Sequence, residues 1–388
     1  MPASSSSPPV LLDAITGAGL PPGRLDAAES IGLLQALAAV PDPRKARGRR
    51  HGLPSVLLLA VGAVLAGARS YAAIAQWAGC AEQAVAVCGP TPHASTFGRV
   101  LSAVDPVALQ YALTGWVLTR RAGHRRQHAD GLQPRSQDRT VLAVDGKTLR
   151  GARDKHGEQT KLVAVLDHAE RLALAQVKVV GGDELAAFVP MLDSVADLRG
   201  SVVTADALHC QRAHADYLHA RGAHYLFTVK GNQPTLRRTL ARLPWAQVPG
   251  LRERTVGHGR TESRSIKVID LAGTPEAGLF PHGARAIKVV RRRRRTGQAR
   301  PSVETVYAIT SLGHRDADPR LLAVWIRSHW TIENSLHWVR DVTEGEDHSS
   351  VRTGHGPQVM AALRNTAINI IRLRGGTNIV TAHRAFSY

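Results

Sequence analysis

Three carboxylates stand out by what precedes them. Asp145 closes the apolar run Val141–Val144 and is followed by Gly146 and Lys147. Asp206 comes just after the run Ser201–Thr204, and Glu333 sits inside WIRSHWTIENSLHWVRDV. A buried strand that ends in an acid presents that acid, and two such strands side by side would bring Asp145 and Asp206 together. Acids converging from separate elements hold hard divalent cations, which take carboxylate oxygen and water as ligands. A pair of such cations can activate a nucleophile and stabilise a leaving oxygen in phosphodiester chemistry. His329, Glu333, His337 and Arg340 follow at steps of four, four and three. One continuous helix would put them on a shared face, with Glu333 toward the cations and His329 and Arg340 suited to a phosphate. Trp330 and Trp338 are expected to pack, with stacking on a base as the alternative. A zinc site is disfavoured, because the two histidines belong to no H-E-x-x-H pattern and no cysteine or acid completes a set.

The elements that must position these acids begin at Thr140. Apolar runs at Val141–Val144 and Leu162–Leu166, the alternating stretch Leu172–Val180, and runs at Ser201–Thr204 and His224–Val229 read as five strands. A helix capped by Asp183 follows the third strand, Gln211–Ala220 follows the fourth, and Pro234–Leu243 follows the fifth. Three consecutive strands suit an antiparallel meander, and strands separated by helices suit right-handed parallel crossovers. That order is the one used by ribonuclease H-like domains, in which the first and fourth strands are neighbours. The expected fold class is therefore α/β, an RNase H-like mixed sheet over residues 140–375. Residues about 245–315 read as an inserted antiparallel sheet. It contains five consecutive arginines, Arg291–Arg295. On a strand alternate side chains share a face, so Arg291, Arg293 and Arg295, with His258–Arg264, are expected to line a DNA groove. A merely solvated charge run is the alternative. Helices return at Leu321–Val342 and Gln358–Leu373.

Upstream, residues 27–119 read as an all-helical domain expected to bind DNA. It contains STFGRVL, whose Arg99 either reaches DNA or belongs to an ordinary packing helix. Residues 1–26 are expected to be a disordered tail, 120–139 a basic linker and 376–388 a short tail. The chain carries 50 Lys and Arg against 31 Asp and Glu, a formal charge of +19. A polyanionic partner, most simply nucleic acid, fits that balance. Cys80, Cys88 and Cys210 form no C-x-x-C pair, which points away from a disulfide framework and toward a reducing cytosol. The N-terminus lacks the pattern of a signal peptide. The most apolar window, Leu53–Ala68, is shorter than a membrane span and reads as a core helix.

Taken together, VDGKTLRG (144–151), TADALHCQ (204–211), FTVKGNQPTL (227–236) and HWTIENSLHW with RDVTEGEDHS (329–349) resemble the DDE transposases of bacterial insertion sequences, closest to the H-repeat-associated branch. DPRKARGRRH and STFGRVL resemble the helical segment that precedes the catalytic domain there, so the likeness spans roughly residues 30–375. The resemblance implies a catalytic and metal-binding triad of Asp145, Asp206 and Glu333. It also implies two Mg²⁺ ions, with Mn²⁺ able to substitute, and a β insertion between the second and third acids. It implies cleavage of double-stranded DNA at inverted repeat ends and strand transfer into target DNA, by a homodimer on DNA, in the cytoplasm and on the nucleoid. Lys147, Lys230, His329 and Arg340 would contact phosphates near the active site. The family pattern of Tyr, Arg, Glu and Lys on the third-acid helix is met here by Ile326, His329, Glu333 and Arg340. Two of these are departures, and Arg for Lys retains only the charge. Glu344, Glu346 and Asp347 are rival acids, ranked as supporting or structural. A junction nuclease of the same fold and a non-catalytic DNA-binding relic are the alternatives to a transposase.

Overall fold

The computed structural model describes residues 27–81, 88–128, 139–153, 157–257, 259–295, 297 and 300–387. The expected tail at 1–26 lies outside these residues, as do His258 and residues 129–138 of the expected linker. Among the described residues, five α-helices come first: α1 (Ala27–Ala38), α2 (Leu53–Leu65), α3 (Tyr71–Cys80), α4 (Ala94–Ala103) and α5 (Pro106–His128). The Leu53–Ala68 window forms α2, which is buried along nearly its whole length. No described helix is long and apolar enough to cross a membrane. The first part of the expected linker is helix instead, because α5 runs on to His128. Arg121 on that helix pairs with Asp167 and with Glu170, the latter at 2.9 Å, and so ties α5 to the sheet.

Among the described residues, nine strands make one sheet. They are β1 (Val141–Arg153), β2 (Gln159–Asp167), β3 (Ala173–Lys178), β4 (Val202–Ala205), β5 (His224–Val229), β6 (Leu251–Gly257), β7 (Arg260–Asp270), β8 (Arg285–Arg295) and β9 (Ser302–Thr310), in the order β3-β2-β1-β4-β5-β9-β8-β7-β6. Helices α6 (Phe188–Asp193), α7 (Arg212–Ala220) and α8 (Pro234–Arg242) follow β3, β4 and β5. The pairs β1–β4 and β4–β5 are parallel and the others antiparallel. The expected insertion is thus no separate sheet: β9 pairs with β5, and β8, β7 and β6 extend the same surface.

Period-two alternation gives this sheet two distinct faces. Leu142, Val144, Val203, Ala205, Tyr225 and Phe227 face the core shared with α6 and the N-terminal helices. That one core takes in Leu33 of α1, Val56 of α2 and Ile368 of α10 (Gly356–Leu373). The N-terminal helices therefore do not form a core of their own. Val141, Val202, Leu226, Ile287 and Ile266 point to the other face, where they pack under Leu322 and Trp325 of α9 (Pro319–Ser328). Asp318 caps α9 by accepting the Leu321 N–H at 2.8 Å. The expected C-terminal tail folds as α11 (Ile379–Ser387). His383 on this helix hydrogen-bonds the Leu65 carbonyl at 2.7 Å and the Glu344 carboxylate at 2.6 Å.

Candidate active site

Parallel pairing of β1 with β4 stops at Val144 opposite Ala205. Asp145 and Asp206 are the next residues on their strands, so they stand side by side where the two strands part. Both share parity with Val141 and Val202, which puts them on the face covered by α9. Asp145 is not a strand end, however: β1 continues to Arg153 along β2, with Asp145 opposite Ala164. What ends at Asp145 is the parallel ladder. The Asp206 carboxylate accepts the Leu208 N–H at 2.9 Å, an Asx-type turn that fixes the loop leaving β4.

Glu333 reaches the same place by an irregular helix. After α9, residues Glu333–His337 and Val339–Thr343 form wide turns closed by i→i+5 bonds, among them Trp338 N–H to the Glu333 carbonyl. Such turns are frequent at functional sites. The His337 Nδ1 lies 3.1 Å from Glu333 Oε2 and 3.5 Å from Asp145 Oδ2. Ligand atoms of Asp145, Glu333 and His337 all lie within 4.8 Å of one another. Asp206 stands outside that tightest group but near enough for its charge to act on Asp145.

The electrostatics follow from this crowding. Burial, and then the neighbouring charges of Asp206, Glu333 and Glu184, push the Asp145 carboxyl up to about 7. The hydrogen bond from His337 holds Glu333 below its ordinary range. Burial pushes His337 down and His329 down to about 4. Both imidazoles are therefore neutral at pH 7, and His329 has no positive charge to offer a phosphate. Its Nδ1 lies 3.0 Å from the Thr204 hydroxyl, which donates to the Leu142 carbonyl at 3.2 Å. The hydroxyl hydrogen is thereby used, so the His329 Nδ1 is the donor to Thr204.

These groups border a cavity of about 1030 Å³ whose walls include Asp145, Asp206, Lys230, His329 and Glu333. Arg264, Arg291 and Arg293 line it too, from the β7–β8 part of the same sheet face. Glu262, 6% exposed, spaces these arginines: it lies 2.6 Å from Arg264, 2.6 Å from Arg291 and 3.5 Å from Arg293. Arg295 is exposed at the end of β8, and Arg99 is exposed on α4, away from this cavity.

Two expected phosphate contacts are corrected. Arg340 is fully buried and bonds Glu346 through Nε at 2.9 Å, while Arg364 takes the other oxygen of Glu346 at 3.0 Å. The wide turns use more residues per turn than an α-helix, so Arg340 leaves the face of Glu333 and turns into the core. Lys147 is likewise buried and paired with Asp341. Trp330 and Trp338, expected to pack, are 66% and 55% exposed, and Trp330 lines the cavity. A further acid borders the site that sequence spacing does not reveal. Glu184, in the turn between β3 and α6, lies against Gly146 so closely that a β-carbon there would collide with its carboxylate. Its only sequence signal is the GGDE that follows the third strand at the same end of the sheet.

The family profile described as Transposase DDE domain matches residues 136–370. The chain belongs to the DDE transposase family. A second profile, DDE_Tnp_1-associated, matches residues 34–117, a range that includes α2 to α4. The chain is 28% identical over 365 residues to "Putative transposase YncI" of Escherichia coli O157:H7, covering 89% of each protein. It is 27% identical over 355 residues to "H repeat-associated putative transposase YhhI" of Escherichia coli (strain K12), covering 87% of this chain and 90% of that one. Among solved structures, a piggyBac transposase synaptic complex with hairpin DNA matches over 93% of this chain and 77% of that one, at 10% identity and a TM-score of 0.39. The transposase is thus an enzyme of DNA transposition, and its large mixed sheet carries the acids of the candidate site.

Proposed function

We propose that Asp145, Asp206 and Glu333 are the catalytic triad of this transposase. They would hold two Mg²⁺ ions, for which Mn²⁺ can substitute. The observation that carries this reading is the convergence of the three acids at the point where β1 and β4 part, facing a cavity walled by arginines. The donor set fits: carboxylate oxygens are the ligands that Mg²⁺ and Mn²⁺ take, and cysteine is absent from it. Asp145, Asp206 and Glu333 would together supply the carboxylate oxygens that hold them. Bound there, the ions would activate the attacking oxygen and stabilise the leaving one. The order β3-β2-β1-β4-β5, with β1, β4 and β5 parallel, supports an RNase H-like core extended by the β6–β9 insertion.

The chain's own residues do the rest. His337 donates to Glu333 and holds its carboxylate beside Asp145. Lys230, exposed at the end of β5, would grip a phosphate near the cleaved bond. Arg291, Arg293 and Arg295 would neutralise backbone phosphates along the insertion, and each such contact releases counterions. Arg99 and the N-terminal helices would bind the element's inverted repeat ends, in a homodimer assembled on DNA within the cytoplasm and nucleoid. One active site then serves both hydrolysis to a 3′-hydroxyl and attack of that hydroxyl on target DNA.

The test is a reaction with linear DNA bearing the element's own terminal repeats, a target plasmid and Mg²⁺. The expected result is a covalently joined end–target product. Cleavage without joining would favour a junction nuclease, and binding without cleavage in any divalent metal would favour a DNA-binding relic.

A further inference from the structure

Glu184 does not belong to the triad, yet its position is built. The carboxylate presses on the backbone of Gly146, immediately after Asp145, and only glycine leaves room for it there. Its charge is one of those that crowd the Asp145 carboxyl. The turn that carries it is anchored on both sides. Asp183 accepts the Ala186 N–H at 3.0 Å, and the Leu185 carbonyl meets His214 Nε2 at 3.3 Å. Phe188, at the start of α6, stacks on His214 with ring centroids 4.0 Å apart. His214 Nδ1 in turn lies 3.1 Å from the carbonyl of His209, in the loop that leaves Asp206. The loops bearing Glu184 and Asp206 are therefore locked together.

His209 supplies a second, independent sign. It is fully buried, and neither ring nitrogen has a hydrogen-bond partner. Its Nε2 points to Glu184 Oε1 at 3.4 Å, short of a well-formed bond. An imidazole that deep is normally satisfied. Carboxylates that ligate a metal are themselves oriented by outer-shell partners, and the buried His209 imidazole stands where it can orient Glu184.

We infer that Glu184 is a fourth carboxylate of the cation site, positioned by His209, and that it holds a divalent ion or its bound water beside Asp145. The inference rests on the reading of Asp145, Asp206 and Glu333 as the metal site. It differs in drawing in an element, the turn after β3, from which that triad takes nothing. Glu184 acts through the ion and touches no DNA, so its loss should appear in metal affinity before DNA is added.

The experiment titrates Mn²⁺ into the full-length protein without DNA, following free Mn²⁺ by electron paramagnetic resonance, alongside thermal unfolding. Glu184→Gln keeps the shape and an acceptor for His209 but removes the charge. The expected result is a Kd for Mn²⁺ raised on the order of 10-fold, an unchanged unfolding midpoint, and partial recovery in Glu184→Asp. Wild-type affinity in Glu184→Gln would overturn the inference while leaving the triad intact, provided Asp145→Asn loses binding. Lower stability in Glu184→Gln, with no recovery in Glu184→Asp, would also overturn it in favour of a structural role. No saturable Mn²⁺ binding by the wild type, or unchanged binding in Asp145→Asn, would overturn the triad reading and this one with it.

Discussion

The Asp145 carboxyl is the most perturbed acid of the site, raised from an ordinary 3.8 to about 7 by burial and by its acidic neighbours. A raised carboxyl favours the protonated form in the folded chain. Its contribution to stability is complete below about pH 4 and is lost as pH rises through about 7. Asparagine cannot ionise, so Asp145→Asn should gain on the wild type across that window, by at most about 1.4 kcal/mol per pH unit, and level off above it. Urea unfolding of the metal-free proteins from pH 4 to 8 reads this directly, and Mg²⁺ at pH 8 should erase the difference by neutralising the wild-type carboxylate. A gap that does not vary with pH would show that Asp145 is not crowded by charge. At this scale Asp145 and Asp206 were legible as candidates because each follows an apolar run, and Glu333 from its helical spacing and the family resemblance. Glu184 was not, because a lone acid in a turn carries no pattern. The neutrality of His329 comes from its burial, which exists only in the folded chain.

At the scale of elements, the helix after α9 decides which side chains reach the site. Regular helical spacing brought Glu333 and His337 together correctly, since both lie within one wide turn. It failed three residues later, where a second wide turn sends Arg340 inward to Glu346. No apolar periodicity distinguishes an i→i+5 turn from an α-helical one. Arg340→Ala should therefore act on folding: it strands the buried Glu346 with Arg364 alone and should cost roughly 3–5 kcal/mol. Denaturant unfolding would show this. An unchanged midpoint with weakened DNA binding would instead restore Arg340 to the DNA surface. Most core strands were legible as continuous apolar runs, and the third from its alternation. That β9 would pair with β5, and so merge the insertion into the catalytic sheet, was not, because pairing partners distant in sequence leave no local trace.

Across the whole molecule, one sheet face carries both the candidate acids and a row of arginines. Its parity runs unbroken from Asp145 and Asp206 through Lys230 to Arg291, Arg293 and Arg264. The +19 charge of the chain is thereby organised, in part, into a basic wall beside an acidic point. The N-terminal helices share the core of the sheet rather than hanging from a linker, and α11 closes on α2 through His383. Composition announced a polyanionic partner, but only the fold shows that the arginines and the acids border one cavity. The central claim is that three acids at the parting of β1 and β4 form one metal-dependent centre for cutting DNA. Its most direct test is Mg²⁺-dependent cleavage of the cognate ends by Asp145→Asn, Asp206→Asn and Glu333→Gln, each first shown to be folded and to bind those ends. Loss of cleavage by a factor of at least ~10³ in all three, with end binding retained, is the predicted result. Wild-type cleavage by any one of them would contradict its place in the centre.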